Sequence, residues 1–238
     1  ASLDQTIRVW TIGGQEIRRF DGHRDGIYGV AFSPDGQSLA SASADGTVGL
    51  WDIGQSQPPT FIHHGAPVHS LSFAPRQALL AIAGEGGGIR IWNPLQKTEV
   101  ASLAGHTASI NSLTFAPSGQ TLASADEDGV IKLWQSDHDG QTWHLRASLQ
   151  GTFSSINSLH FTPDGQTLIA ATDDGTIKLW TLDSRQLPTI EDQLFDIVSI
   201  DFAPDRGGIS RFKPSVLASG SANGTISIWD QNGRRLNS

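Results

Sequence analysis

The 238-residue chain carries 24 acidic against 16 basic side chains, a formal charge of -8, and neither cysteine nor methionine. That balance disfavours a phosphate backbone, so no nucleic-acid partner is expected, and the lack of cysteine excludes disulfides and thiol chemistry. No stretch reaches the roughly eighteen consecutive apolar residues of a spanning helix and no signal peptide is visible, so no membrane partner and a cytoplasmic setting are expected.

Taken in order, the chain repeats itself. Trp10, Trp51, Trp92, Trp134, Trp180 and Trp229 recur at intervals of 41 to 49 residues. Such a period, filled with strand-sized apolar runs and tight-turn signals, marks a propeller or a solenoid. Ser2 to Trp10 reads as a hairpin turn and a third strand, c, and Gln15 to Phe20 as an outer strand, d. No first or second strand, a or b, precedes them.

The first complete unit follows Gly22-His23, with strands near Gly26 to Ser33, Gln37 to Ser43, Thr47 to Trp51 and Thr60 to Ile62. Pro58-Pro59 suits an edge, because proline cannot donate to a ladder. The second unit ends at Trp92; its b strand, Ala78 to Ala83, has no hydroxyl. In the third, Ile110 to Phe115, Gln120 to Ala125 and Val130 to Trp134 are three strands. Pro117-Ser-Gly119 and Asp128-Gly129 separate them, the latter supplying the positive φ of a tight hairpin. The fourth places Thr152 where histidine is expected. The fifth has Gln193 there, and an insertion from Arg206 to Pro214.

Gly105-His106, Asp128-Gly129 and Trp134, in register with their counterparts, resemble the WD-repeat (WD40) β-propeller family along essentially the whole chain. The resemblance implies an all-β propeller of four-stranded antiparallel blades: a c–d half-blade (1–20) and five complete blades near 22–62, 64–103, 105–149, 151–191 and 193–238. One array over 1–238 is expected. Propellers hold about four to eight blades. Five blades with two strands over, or six with two missing, closes awkwardly, so residues outside Ala1 to Ser238, or another chain, are expected to complete the ring.

Ser, His and Asp recur with each unit's tryptophan, as His23, Ser41, Asp45 and Trp51, and again as His106, Ser124, Asp128 and Trp134. A nucleophile, base and orienter could be built from them. A catalytic group occurs once, however, whereas this set is duplicated, and a buried indole N–H needs an acceptor that serine can provide while passing a hydrogen bond to histidine and on to aspartate. No catalytic residue is therefore assigned, and Asp128→Ala is expected to cost more than Asn223→Ala by stranding His106. His63, His64 and His69 lack partners at metal-ligand spacing, and Asp137 to Gly140 reads as a polar turn, so neither metal nor cofactor is expected.

Function then falls to loops on a rigid frame. In the resembling family, d–a and b–c loops and the residues opening strand a grip peptides. Carried onto this chain, the strand-a positions are Tyr28, His69, Asn111, Asn157 and Val198. Glu127 and Asp173 precede the turn acids, and Phe153 is a candidate apolar anchor. The acidic turns favour a basic protein or peptide partner. The expected function is a non-enzymatic protein-interaction scaffold, similar to bacterial multidomain WD-repeat proteins. A propeller enzyme with a hydrolytic or metal site at the channel mouth and a purely structural assembly module are the alternatives.

Overall fold

A computed structural model describes residues 2–54, 58–150, 154–183, 187, 189–191, 196–202, 216–230 and 234–237. Every regular element in it is a strand. The first sheet has two: β1 (Thr6–Trp10) and β2 (Glu16–Asp21). Five four-stranded sheets follow, the first being β3 (Ile27–Phe32), β4 (Ser38–Ser43), β5 (Thr47–Asp52) and β6 (Thr60–His63). The second is β7 (Val68–Phe73), β8 (Leu80–Gly84), β9 (Ile89–Asn93) and β10 (Thr98–Leu103), and the third β11 (Ile110–Phe115), β12 (Thr121–Asp126), β13 (Val130–Ser136) and β14 (Trp143–Gln150). The fourth is β15 (Ile156–Phe161), β16 (Thr167–Thr172), β17 (Thr176–Thr181) and β18 (Ile190–Glu191), and the fifth β19 (Ile197–Phe202), β20 (Leu217–Ser221), β21 (Ile226–Trp229) and β22 (Arg235–Asn237). Strands pair antiparallel in chain order within each sheet. This is the blade plan expected from the repeat, a half-blade and five complete blades.

The glycine turns supply what the hairpins require. Gly46, Gly129 and Gly175 adopt φ of 79, 76 and 79° at equivalent b–c corners. At the half-blade corner Gln5 takes φ 68° without being glycine, and Asp4 holds it by accepting from the Thr6 amide and hydroxyl at 3.0 and 2.8 Å.

The core lies between blades. One cluster joins Ala81, Ala83, Ile89 and Ile91 of the second sheet to Ile110, Leu113 and Phe115 of the third. Another joins Ala123, Ala125 and Ile131 of the third to Ile156, Leu159 and Phe161 of the fourth. Equivalent clusters fill the joints from first to second and from fourth to fifth. The half-blade gives Ile7 and Phe20 to a cluster with Ile27, Leu39 and Trp51 of the first complete blade. A single sheet has little to bury against by itself, so each blade is stable only beside its neighbours.

Strands β3, β7, β11, β15 and β19 lie side by side in that order. Each carries the same irregularity after its first residue. Register on the neighbouring strand skips one position, between Ile27 and Gly29, Val68 and Ser70, Ile110 and Ser112, Ile156 and Ser158, and Ile197 and Ser199. A bulge leaves one residue outside the ladder and re-aims its side chain.

Candidate binding rim

The first complete blade is fixed by a chain of side-chain hydrogen bonds. The Trp51 indole N–H donates to Ser41 Oγ at 2.8 Å, Ser41 Oγ lies 2.7 Å from His23 Nε2, and His23 Nδ1 lies 2.9 Å from Asp45 Oδ2. A carboxylate facing Nδ1 places the proton there, so Ser41 donates to Nε2 while it accepts from the indole. Asp45 also accepts from the Arg24 amide and from the Thr47 amide and hydroxyl. Burial alone would raise the Asp45 pKa, but the bonds from Thr47, Arg24 and His23 outweigh it and hold the carboxyl at about 2.

The third blade repeats the chain with one substitution of partner. Trp134 donates to Ser124 at 2.9 Å and Ser124 lies 2.7 Å from His106 Nε2. His106 Nδ1, however, meets Asp126 Oδ2 at 2.6 Å. Asp128, expected in that role, is exposed, and its amide donates to Asp126 Oδ1 at 3.1 Å. The reason is local. Thr47, which anchors Asp45, is replaced at the equivalent position by Val130, which has no hydroxyl. Asp126 occupies the buried strand end held by Ser43 in the first blade, and takes the Val130 amide at 2.9 Å. Asp128 is thus removed from the network, and the stranding of His106 passes from Asp128 to Asp126. Burial holds the His106 pKa below the ordinary histidine value, against the pull of Asp126.

The other blades are incomplete. In the second, Ile82 stands where Ser124 stands in the third, and the buried Trp92 Nε1 and His64 Nδ1 have no hydrogen-bond partner among the described residues. In the fourth, Ala170 occupies the serine position, and Asp174 Oδ1 is bound by the Thr172 and Thr176 hydroxyls at 2.6 and 2.7 Å. In the fifth, Trp229 donates to Ser219 at 2.9 Å and Asn223 closes the turn on Thr225. The Ser41 and Ser124 hydroxyls are fully buried and already engaged by an indole, so a substrate has no access to either.

Tyr28, His69, Asn111, Asn157 and Val198 are the five bulge residues skipped by the ladders. The first four line one concavity of about 580 Å³ across β3, β7, β11 and β15; Val198 lies exposed outside it. Several also touch the next blade. Tyr28 and His69 meet edge to face at 5.4 Å, Asn111 Nδ2 donates to Ser155 Oγ at 3.1 Å, and Asn157 Nδ2 donates to the Ile197 carbonyl at 3.1 Å. Glu127 and Asp173 are exposed. Their amides donate to the carbonyls of Ser109 and Ser155 at 3.0 and 3.1 Å, tying each b–c turn to the entry of its own strand a. Phe153, with Thr152, Gln193 and the stretch from Arg206 to Pro214, lies outside the described residues.

Serines beside the bulges are a further device that sequence reasoning missed. Ser70 Oγ accepts from the Leu113 amide at 3.0 Å, Ser112 from Leu159 at 2.9 Å and Ser158 from Ile200 at 3.4 Å, each across a blade joint. Their signal is a serine three residues before the strand-a Phe in four consecutive units, replaced in the first by Gly29. Trp143 packs edge-on to Phe115 at 5.9 Å and donates to the Gly140 carbonyl at 3.0 Å, which makes it an outer-strand packing residue. Among the described residues, no group of three or more His, Asp or Glu side chains is placed to hold a metal ion.

Comparison with known proteins agrees with this geometry. The family described as WD domain, G-beta repeat matches residues 14–52, 143–181 and 185–230, more than half of the chain, and the one described as IFT140 first beta-propeller matches 52–150. Coronin-7 of Bos taurus is 52% identical over 42 residues, which are 17% of this chain and 5% of that protein. Coronin-7 of Rattus norvegicus is 48% identical over 42 residues, with the same shares.

Proposed function

The chain belongs to the WD-repeat family, and on that premise we propose that it is a non-enzymatic scaffold binding segments of partner proteins on its d–a and b–c rim. The observation that carries this reading is the repeated bulge. A residue outside the ladder is released from pairing and turned toward a shared concavity, and four bulge residues, Tyr28, His69, Asn111 and Asn157, line the same one. They are chemically diverse on an otherwise repeated frame, which suits recognition of an irregular peptide.

Glu127, Asp128 and Asp173 give the adjoining rim a negative sector that favours Lys- or Arg-bearing segments. The test is binding of a labelled Lys/Arg-rich peptide followed by fluorescence polarisation. Glu127→Lys with Asp173→Lys is expected to weaken it by up to about thirtyfold, since each exposed charge reversal contributes about 1 kcal/mol or less, and to leave the thermal midpoint in place. Affinity unchanged in the double variant would overturn the basic-partner reading.

A further inference from the structure

The strand ends away from the rim carry the a–b and c–d links, because strands alternate in direction within each sheet. There, between the first and second complete blades, lies a cavity of about 810 Å³. The first blade gives it Pro34 and Pro59, and the second gives Phe73, Leu95 and two cations, Arg76 and Lys97. It meets the rim concavity only at Pro34, Phe73 and Pro75. Both blades that form it have all four strands.

At the next joint the chain itself covers the same level. Phe115, which ends β11, is 6% exposed because Trp143 packs edge-on to it at 5.9 Å. The link before that tryptophan lies down on the preceding blade. Gln77 Nε2 donates to the His138 carbonyl at 3.5 Å, and a Cβ on Gly140 would lie 2.9 Å from Leu79 Cδ1. In the second blade the equivalent link is shorter, 94–97 against 137–142. Trp143 stands two residues before Leu145, which pairs with Trp134, and two before Glu99, which pairs with Trp92, stands Lys97. On the facing wall Ser38 precedes the partner of Trp51, where Leu79 precedes the partner of Trp92. A bulky ring and a bulky aliphatic chain are thus both replaced, and Phe73, the counterpart of Phe115, is only partly buried. Leu95 stands 81% exposed beside it.

Charge across the cavity is unevenly engaged. The first blade contributes two acids, Asp35 and Asp52. Asp35 accepts from the Ser33 hydroxyl and the Gln37 amide, and Asp52 from the Gly54 amide, so each is used within its own turn. Among the described residues the Arg76 and Lys97 side chains meet no carboxylate. The wall on the second blade therefore favours an anion.

We propose that this cavity is a second binding site, for a segment of a partner protein that carries an aromatic residue with a carboxylate beside it. The ring covers Phe73 as Trp143 covers Phe115, and the carboxylate pairs with Arg76 and Lys97. Buried aromatic anchors of this kind carry much of the energy of an interface.

The probe is a fluorescein-labelled peptide of residues 137–143 with a free carboxyl terminus, which puts a carboxylate on the tryptophan itself, titrated with the full chain by fluorescence polarisation. Saturable binding is expected, and Trp143→Ala in the peptide should abolish it. Arg76→Glu with Lys97→Glu in the chain should weaken it about tenfold, as two exposed charge reversals acting together, and leave the thermal midpoint in place. Glu127→Lys with Asp173→Lys should bind this peptide as before, and Arg76→Glu with Lys97→Glu should bind the Lys/Arg-rich peptide as before, so the two sites stand or fall separately. Absence of saturable binding, or binding indifferent to the tryptophan or to the two reversals, would overturn the proposal. So would self-association of the chain that competes with the peptide and is lost with Arg76→Glu and Lys97→Glu, which would assign the cavity to a second copy.

Discussion

The third and second blades have the same four strands and differ at two buried points of the polar chain, the serine and the acid. In the third, Ser124 joins Trp134, His106 and Asp126 into a satisfied chain. In the second, Ile82 takes the serine's place and leaves Trp92 Nε1 unmet, and Gly84 takes the place of Asp126 and leaves His64 Nδ1 unmet among the described residues. The backbone is therefore not specified by the network. Apolar packing between sheets suffices to form a blade, and the polar chain adds a tie from the loop before strand a to the b–c corner. Such a tie helps only when complete, because a half-made buried network costs more than an apolar one.

The sharpest way to break the comparison is to remove the acid. Asp126→Ala strands a buried imidazole and two backbone amides, and is expected to cost about 3–5 kcal/mol, the range for breaking a buried pair. Asp128→Ala, at an exposed corner, should cost less than about 0.5 kcal/mol. Urea midpoints of the two variants check this, and equal losses would dissolve the distinction between Asp126 and Asp128.

A smaller effect should come from moving the second blade toward the third. Ile82→Ser gives up about 2–3 kcal/mol of apolar burial, but offers an oxygen to Trp92 and regains about 1–2 kcal/mol from a donor otherwise unmet. Ile91→Ser removes a similarly buried isoleucine and serves no orphan. Thermal melts should show Ile82→Ser milder by about 1 kcal/mol or more.

Acid should loosen the first and third blades by increments. His106 is held below the ordinary histidine value of 6.5, so the unfolded chain takes up the proton first and this contribution, full above pH 6.5, declines as pH falls below it. Asp45 is lowered from 3.8 to about 2, so its contribution, full above pH 3.8, is lost as pH falls through about 2. Thermal midpoints measured from pH 7 downward should fall in both windows, and Asp45→Asn should reduce the lower one.

The strands were legible because their signals are local: alternating apolar runs, glycine at positive φ and a tryptophan closing each period. β3, β4 and β5 fall within a residue or so of their expected bounds. The acid facing His106 was not legible, since two aspartates two residues apart both reach the corner, and the choice turns on whether position 130 offers a hydroxyl. Tyr28, His69, Asn111, Asn157 and Val198 were found by counting back from phenylalanine. That they are bulges could not be, because a bulge is a relation between two strands. Asn111 and Asn157 were expected to face a partner, yet their amides also bind the neighbouring blade. The joint-spanning serines went unread for the same reason.

Those serines give the arc unequal stiffness. From β7 to β19 each joint is riveted by a hydroxyl taking a main-chain N–H of the next sheet, whereas between β3 and β7 Gly29 leaves a gap in which an added Cβ would lie 3.4 Å from the His69 carbonyl. Tension applied along the curve is expected to open the first joint before the others, since the Arg90 bond to the His63 carbonyl and the Tyr28–His69 contact there leave the strand-a amides untied. The half-blade and first blade would then swing as one leaf.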